Sequence, residues 1–245
     1  MRNLKMDIEY DGTEYHGWQR QLGQTTIQQV LEESIGSVTQ EKVRVIGSGR
    51  TDAGVHAINQ VANFRTDSKI AVRNLHAGIN SILPNDIVIR NIVEAEESFH
   101  ARYDAKSKVY LYRIFNGTVR PALQRQYAWF VRGFLDIDLM KEGATLFSGT
   151  HDFSSFCAAD RGIINYIKTI EKVEICRDQS SIISIHVEAD GFLRYMVRNM
   201  VGILVEVGKG KKPPNEIAVV MEAKDRRRAG ATAPAHGLFL KEVRY

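Results

Sequence analysis

The sequence predicts an α+β protein made of two ferredoxin-like halves, each running β-α-β-β-α-β. Three observations carry that prediction. Stretches where apolar and polar residues alternate are interleaved with stretches at helical spacing. A turn-forming pair, Asp11-Gly12 in one half and Asn116-Gly117 in the other, closes the first strand of each. The same order of six elements also occurs twice within 245 residues, as a repeat of pattern with negligible sequence identity. Each half should be an antiparallel sheet with helices on one side, residues 1–98 forming the first and residues 99–245 the second. If the sheets lie side by side, their uncovered faces form a continuous floor with a cleft between the halves.

The elements follow in order. Residues 4–10 alternate Leu-Lys-Met-Asp-Ile-Glu-Tyr and read as a strand. Thr26 caps a helix whose apolar stripe is Ile27, Val30, Leu31, Ile35 and Val38. Residues 43–46 are a short β-branched strand ahead of Gly47-Ser48-Gly49, and residues 60–64 read as the next strand. Residues 71–83 form a helix stopped by Pro84-Asn85-Asp86, and residues 87–93 complete the half. In the second half, residues 108–115 are a strand, and residues 136–147 place Leu139, Met140, Ala144 and Phe147 on one helical side. Residues 170–175 and 182–187 form a hairpin around the polar Arg177-Asp178-Gln179-Ser180. Residues 192–207 read as a helix with Phe192, Met196, Met200 and Leu204 four apart, and residues 238–243 as the final strand.

Composition excludes several classes. At 44% hydrophobic and 25% charged, the chain is neither disordered nor collagen-like. Cys157 and Cys176 are too few for a disulfide framework or a four-thiolate zinc site, and neither lies in a C-x-x-C pair. They predict two ordinary thiols in a reducing compartment. Charges are scattered through residues 1–7, where a signal peptide needs an apolar run, and nowhere do 18 apolar residues follow one another. The expectation is a cytoplasmic protein with no membrane segment.

The formal net charge of +4 suggests an anionic partner without naming it. Residues 99–125 sharpen it: Arg102, Lys106, Lys108, Arg113, Arg120 and Arg125 stand against Asp104 alone, a local net +5. Phe99, His100, Tyr103, Tyr110, Tyr112 and Phe115 lie among them. Cations interleaved with aromatics suit phosphate contact with base stacking. A second cluster, Lys209, Lys211, Lys212, Lys224, Arg226, Arg227 and Arg228, is explained equally well as a solvated face.

The most unusual stretch is Gly47-Ser48-Gly49-Arg50-Thr51-Asp52-Ala53-Gly54-Val55-His56. Its glycines permit tight turns and close approach of a ligand to the backbone. A phosphate-cradling loop is one reading, but neither G-x-x-x-x-G-K-[ST] nor G-x-G-x-x-G is present. A metal site would need more ligands than Asp52 and His56. A third reading is a carboxylate nucleophile held ionised by an arginine. The plain alternative is that Asp52 caps a turn with Arg50 as its partner.

Here the motif resembles the active-site motif of the tRNA pseudouridine synthase A family. Other segments share the likeness: Tyr10-Asp-Gly-Thr-Glu-Tyr-His-Gly-Trp-Gln-Arg20, Phe99-His-Ala-Arg102, and Lys108-Val-Tyr-Leu-Tyr-Arg-Ile114. Phe192-Leu-Arg-Tyr-Met-Val-Arg-Asn199 and Ala233-Pro-Ala-His-Gly-Leu238 complete it, so the likeness spans essentially the whole chain. The resemblance implies isomerisation of uridine to pseudouridine at positions 38, 39 and 40 of the tRNA anticodon arm. It implies no metal and no cofactor, and a homodimer in which one tRNA contacts both subunits across the active-site cleft.

The resemblance also implies roles. Asp52 is the essential carboxylate, attacking the sugar or the base or removing a sugar proton. Arg198 pairs with it in a pocket that excludes water. Tyr110 stacks on the flipped uracil and can serve the proton transfer from C5; periodicity alone leaves it a core residue beside Tyr112. Arg50 fills the space vacated by the base or binds a phosphate, and Leu238 walls the pocket or simply packs in the core. Arg102 is a further substrate-binding candidate, and His56 and His100 can touch RNA, although lone histidines near a loop are more often structural. Two positions depart from the family pattern: Asn59 precedes Gln60 where glycine is common, and Lys168, in the segment 163–169, replaces an arginine with different reach. Two other functions remain open. A non-catalytic RNA-binding module would leave Asp52 unused, and a glycoside hydrolase would need a second carboxylate, which the core motif around Asp52 does not supply.

Overall fold

In the computed structural model, which describes residues 1–158 and 165–245, the alternation of residues 4–10 becomes strand β1 (Arg2–Tyr10). Leu4, Met6, Ile8 and Tyr10 on it are buried. Thr26 caps α1 (Ile27–Thr39) as expected, its hydroxyl accepting the Gln29 N–H. Such a cap stabilises a helix by about 1 kcal/mol. Ile27, Leu31 and Ile35 from its stripe are fully buried, as are Leu75 and Ile79 of α2 (Val72–Ile82). Strands β3 (His56–Thr66) and β4 (Ile87–Ala95) flank β1 on either side, both antiparallel. A two-residue β2 (Ile46–Gly47) pairs antiparallel with β3. The order β4-β1-β3-β2 is the ferredoxin-like one.

The expected strand at residues 43–46 is displaced, and the reason lies in α1. Gln28 Nε2 donates to the Val45 carbonyl at 2.9 Å, and the Val45 N–H donates to Glu32 Oε1 at 3.1 Å. Helix side chains satisfy Val45's backbone groups, so the ladder starts only at Ile46.

The second unit begins with β5 (Ser107–Gly117), against which β6 (Trp129–Arg132) runs parallel. After α3 (Ile137–Thr145) and β7 (Gly149–Asp152) come β8 (Ile167–Arg177) and β9 (Ile182–Ala189), giving the order β5-β9-β8-β7. Asp178 fixes the hairpin turn by accepting the N–H groups of Ser180 and Ile182. Helices α4 (Met196–Gly208) and α5 (Glu216–Ala223) follow. Helix α4 is buried nearly all round, its mostly apolar sequence broken only by Arg198, Asn199 and Glu206.

Three short elements, β6, β7 and α5, carry too little periodicity to have been expected. Helix α4 also begins four residues later than its spacing suggests. Tyr195 takes a left-handed conformation (φ 64°), so Phe192 lies outside the helix and Arg198 in its first turn. The division into units differs from the expected 98/99 boundary: Met1–Lys106 and Phe239–Tyr245 form one, Ser107–Leu238 the other. Strand β10 (Leu238–Arg244) accounts for this, since Phe239 and Leu240 pair in parallel with His56 and Ala57 of β3. No helix among the described residues is long and apolar enough to cross a membrane. Residues 163 and 164 of the segment carrying Lys168 lie outside the described residues.

Candidate active site

Asp52 is half-buried in the loop joining β2 to β3. That loop is gripped from two directions within the first unit. From the opening segment, the Trp18 N–H donates to the Thr51 carbonyl (3.0 Å), the Tyr10 hydroxyl meets Thr51 Oγ1 (2.8 Å), and the Gly54 N–H donates to the Tyr15 carbonyl (3.2 Å). Gly17 makes the approach close: at φ +87° its missing side chain would stand 2.5 Å from the Thr51 carbonyl oxygen. From β3, the fully buried Gln60 accepts the Ser48 hydroxyl proton (2.6 Å) and donates to the Gly49 carbonyl (2.9 Å). The Val55 N–H closes the turn on the Asp52 carbonyl at 3.1 Å. A loop mounted this way holds the backbone of Asp52 with little freedom to reorganise. The opening segment's part in holding the loop was not legible from residue types; the adjacency of β1 and β3 is what creates it.

His56 is corrected as an RNA-contact candidate. Its ring is 1% exposed, stacks on Phe239 at 4.7 Å, and accepts the Gly12 N–H at Nδ1 (3.0 Å), with Asp11 Oδ1 also 3.0 Å away. With no edge open to a ligand, it fastens the Asp11-Gly12 turn to β3. Arg50 and Arg102 are exposed. Arg102 lies on a turn braced by His100, whose Nδ1 accepts the N–H groups of Arg102 and Tyr103, and its guanidinium sits 5.7 Å from the Tyr103 ring centre.

In the second unit, β5 carries Tyr110 and Tyr112 on one face. Tyr110 is buried and meets the Phe192 ring edge-on at 4.9 Å. Tyr112 is fully enclosed and donates to the Pro234 carbonyl at 2.8 Å. Burial pushes its phenol well above the ordinary range, against the opposing charge of Arg198. The half-buried Arg198 donates through Nε to the Ala233 carbonyl (2.7 Å), lies 4.9 Å from the Tyr195 ring centre, and accepts the Ala233 N–H on its own carbonyl (3.1 Å). The segment 233–238 is thus held by α4 at Ala233 and by β5 at Pro234. It delivers Leu238, 5% exposed, after the 3₁₀ turn Ala235–Gly237.

The second basic cluster is largely spoken for. Arg226 turns inward, donating to the Gly230 carbonyl (2.8 Å), Asn199 Oδ1 (2.7 Å) and Thr232 Oγ1 (2.7 Å), so it ties the fold together and is not part of a solvated face. Arg227 pairs with Asp225 at 2.7 Å and helps hold that carboxyl down at about 2. Lys224 pairs with Asp152 at 3.1 Å, and Lys212 lies 3.8 Å from both Glu206 and Glu216. Lys209, Lys211 and Arg228 are exposed, as are Arg102, Lys106, Arg120 and Arg125 of the first cluster. Among the described residues, no group of three or more His, Cys, Asp or Glu could hold a metal ion.

A family model described as tRNA pseudouridine synthase matches residues 7–104 and 144–245. Asp52 and Arg198 fall inside these stretches, and Tyr110 falls between them. The chain is 46% identical over 245 residues to tRNA pseudouridine synthase A of Caldicellulosiruptor bescii, covering 100% of both. It is 47% identical, at the same coverage, to tRNA pseudouridine synthase A 2 of Clostridium perfringens. Among solved structures, the archaeal box H/ACA sRNP Nop10-Cbf5 complex is matched at a TM-score of 0.37 and 12% identity. That match covers 82% of this chain and spans 44% of the other.

Proposed function

The chain belongs to the tRNA pseudouridine synthase A family of isomerases, and from that premise we propose that it converts uridine to pseudouridine at positions 38, 39 and 40 of the tRNA anticodon arm. The bond from C1′ of the ribose to N1 of uracil breaks, the base turns in place, and C1′ bonds to C5. C5 gives up its proton and N1 gains one, so the reaction is a balanced isomerisation that consumes no cofactor or metal.

In this reading Asp52 is the reacting carboxylate and Arg198 its counter-charge. Tyr110 stacks on the flipped uracil and serves the proton transfer from C5. Leu238 gives the pocket an apolar wall, and Arg50 occupies the space the base leaves or holds a phosphate. A stem uridine must first leave the duplex, at a cost of a few kcal/mol. Arg102 and the exposed cations of residues 99–125 offset that cost through phosphate contacts, which makes binding salt-dependent. The enzyme works as a cytoplasmic homodimer, each tRNA touching both subunits.

The observation that carries the proposal is the mounting of Asp52: the buried Tyr10 and Gln60 bond the Thr51 hydroxyl and the Gly49 carbonyl on its N-terminal side, and the adjoining Arg50 is left exposed. Tritium release from 5-labelled uridine in an anticodon-arm tRNA tests it. The wild type should release tritium, and Asp52→Asn should release none while still binding tRNA. Turnover by Asp52→Asn sinks the assignment.

A further inference from the structure

We propose that Tyr10 and Gln60 are positioning residues for this reaction, acting through Thr51 and Gly49 to aim Asp52 and Arg50. The inference rests on the reading of Asp52 as the reacting carboxylate.

Tyr10, Ser48, Thr51 and Gln60 are all buried polar residues, exposed by 2%, 1%, 7% and 0%. Burying four polar side chains in a small unit is costly unless each is satisfied, and an apolar set would pack these strands as well. Their bonds are spent on one short stretch. Gln60 takes the Ser48 hydroxyl and the Gly49 carbonyl, and Tyr10 takes the Thr51 hydroxyl. Thr51 is thereby held twice, because its carbonyl also receives the Trp18 N–H. Arg50 projects between the two anchored residues, and Asp52 follows the second directly.

A small rotation about residue 51 would swing the Asp52 carboxylate, and a misplacement of about 1 Å can cost about a hundredfold in rate. Burial pushes the Tyr10 phenol far above its ordinary range, so its hydroxyl keeps its proton across the working pH range. The clamp is therefore a permanent fixture. Neither tyrosine nor glutamine needs to touch the substrate to matter.

The test is single-turnover tritium release together with equilibrium tRNA binding, on the full-length chain. Tyr10→Phe and Thr51→Val each remove one half of the same contact with little change in volume. Both should lower the rate ten- to a hundredfold while tRNA affinity stays within twofold. Thr51→Ser keeps the hydroxyl and should restore most of the rate. The double variant Tyr10→Phe/Thr51→Val should be no slower than Tyr10→Phe, since losing the Tyr10 hydroxyl already breaks its contact with Thr51 as well as the one with Gln60. A merely structural role would lower melting temperature without this split and without the non-additivity.

Gln60→Met leaves two buried partners unpaired and can fail to fold, so the decision rests on the Tyr10 and Thr51 series. Rates within twofold of wild type in both single variants, multiplicative losses in the double, or an equal loss of tRNA binding would overturn the inference. Asp52→Asn is measured alongside. Turnover by that variant overturns the role of Asp52 and this inference with it. An inactive Asp52→Asn beside a fully active Tyr10→Phe overturns this inference alone.

Discussion

Replacing Gly17 by alanine adds one methyl group at a point where two effects can be separated. The residue sits at φ +87°, where an L side chain costs about 1 kcal/mol. The new carbon would also lie 2.5 Å from the Thr51 carbonyl oxygen and 3.1 Å from the Ala53 nitrogen. Non-bonded atoms keep about 3.5 Å, so the overlap is roughly 1 Å. The obstructing atoms are backbone, and the Thr51 carbonyl is pinned by the Trp18 N–H, so no side chain can swing aside. Overpacking of this kind costs about 1–3 kcal/mol, for a total loss of stability near 2–4 kcal/mol. If the Asp52 loop takes up the displacement, turnover should fall by about a hundredfold. Gly23 supplies the control: at φ +72° it has nothing within 4 Å, so Gly23→Ala should cost only the strain of about 1 kcal/mol and leave turnover intact. The assay pairs tritium release with thermal unfolding. A Gly17→Ala enzyme that melts lower yet turns over within twofold of wild type would refute the link between this glycine, the Asp52 loop and turnover.

Other expectations follow from the second unit and the surface. Arg226→Ala removes the cation that joins Asn199, Thr232 and Gly230, and should cost about 1–3 kcal/mol in unfolding experiments. The salt dependence of tRNA binding should stay unchanged in that variant. Arg102→Ala should do the reverse, weakening tRNA binding and reducing the slope of log K against log salt by about 0.7–0.9 with turnover unaffected. The buried phenols of Tyr10 and Tyr112 are both raised by burial, so the folded state keeps protons that the unfolded chain releases near pH 10. Their contribution is fully present below that pH and is lost as pH rises above it, by up to about 1.4 kcal/mol per pH unit for each. Denaturant titrations at pH 9 and pH 11 should show the fall, and Tyr112→Phe should make it shallower.

The ferredoxin-like order was legible because its strands and helices are long enough for periodicity to speak. Residues 4–10 and 108–115 alternate cleanly, and α1 shows both its cap and its stripe. What stayed hidden depends on tertiary partners. Val43 to Val45 have the composition of a strand, yet α1 side chains take the backbone bonds of Val45. Phe192 continues a four-residue spacing but lies half-buried against Tyr110, and the left-handed Tyr195 separates it from the helix. At the site, glycine density singled out the loop around Asp52, and the motif likeness separated Tyr110 from Tyr112. No pattern along the chain could disclose that residues 10–18 brace that loop. Nor could it disclose that Arg226 faces inward while its neighbours Arg227 and Arg228 face out.

The parallel pairing of Phe239 and Leu240 with His56 and Ala57 joins residues about 180 positions apart in sequence. During synthesis, the first unit therefore emerges with the His56–Ala57 end of β3 unpaired on its side away from β1, and the whole second unit must be made before that stretch is filled. Loop closure over so long a distance is slow, and an open strand edge invites pairing with other chains in the interval. Because Phe239 also backs the His56 ring that fastens the opening turn, that support of the first unit is completed only after the second unit. A nascent chain that lacks residues 239–240, or one nicked before them, should hold its Asp52 loop loosely, so the capacity to modify RNA arrives only after the second unit has been made.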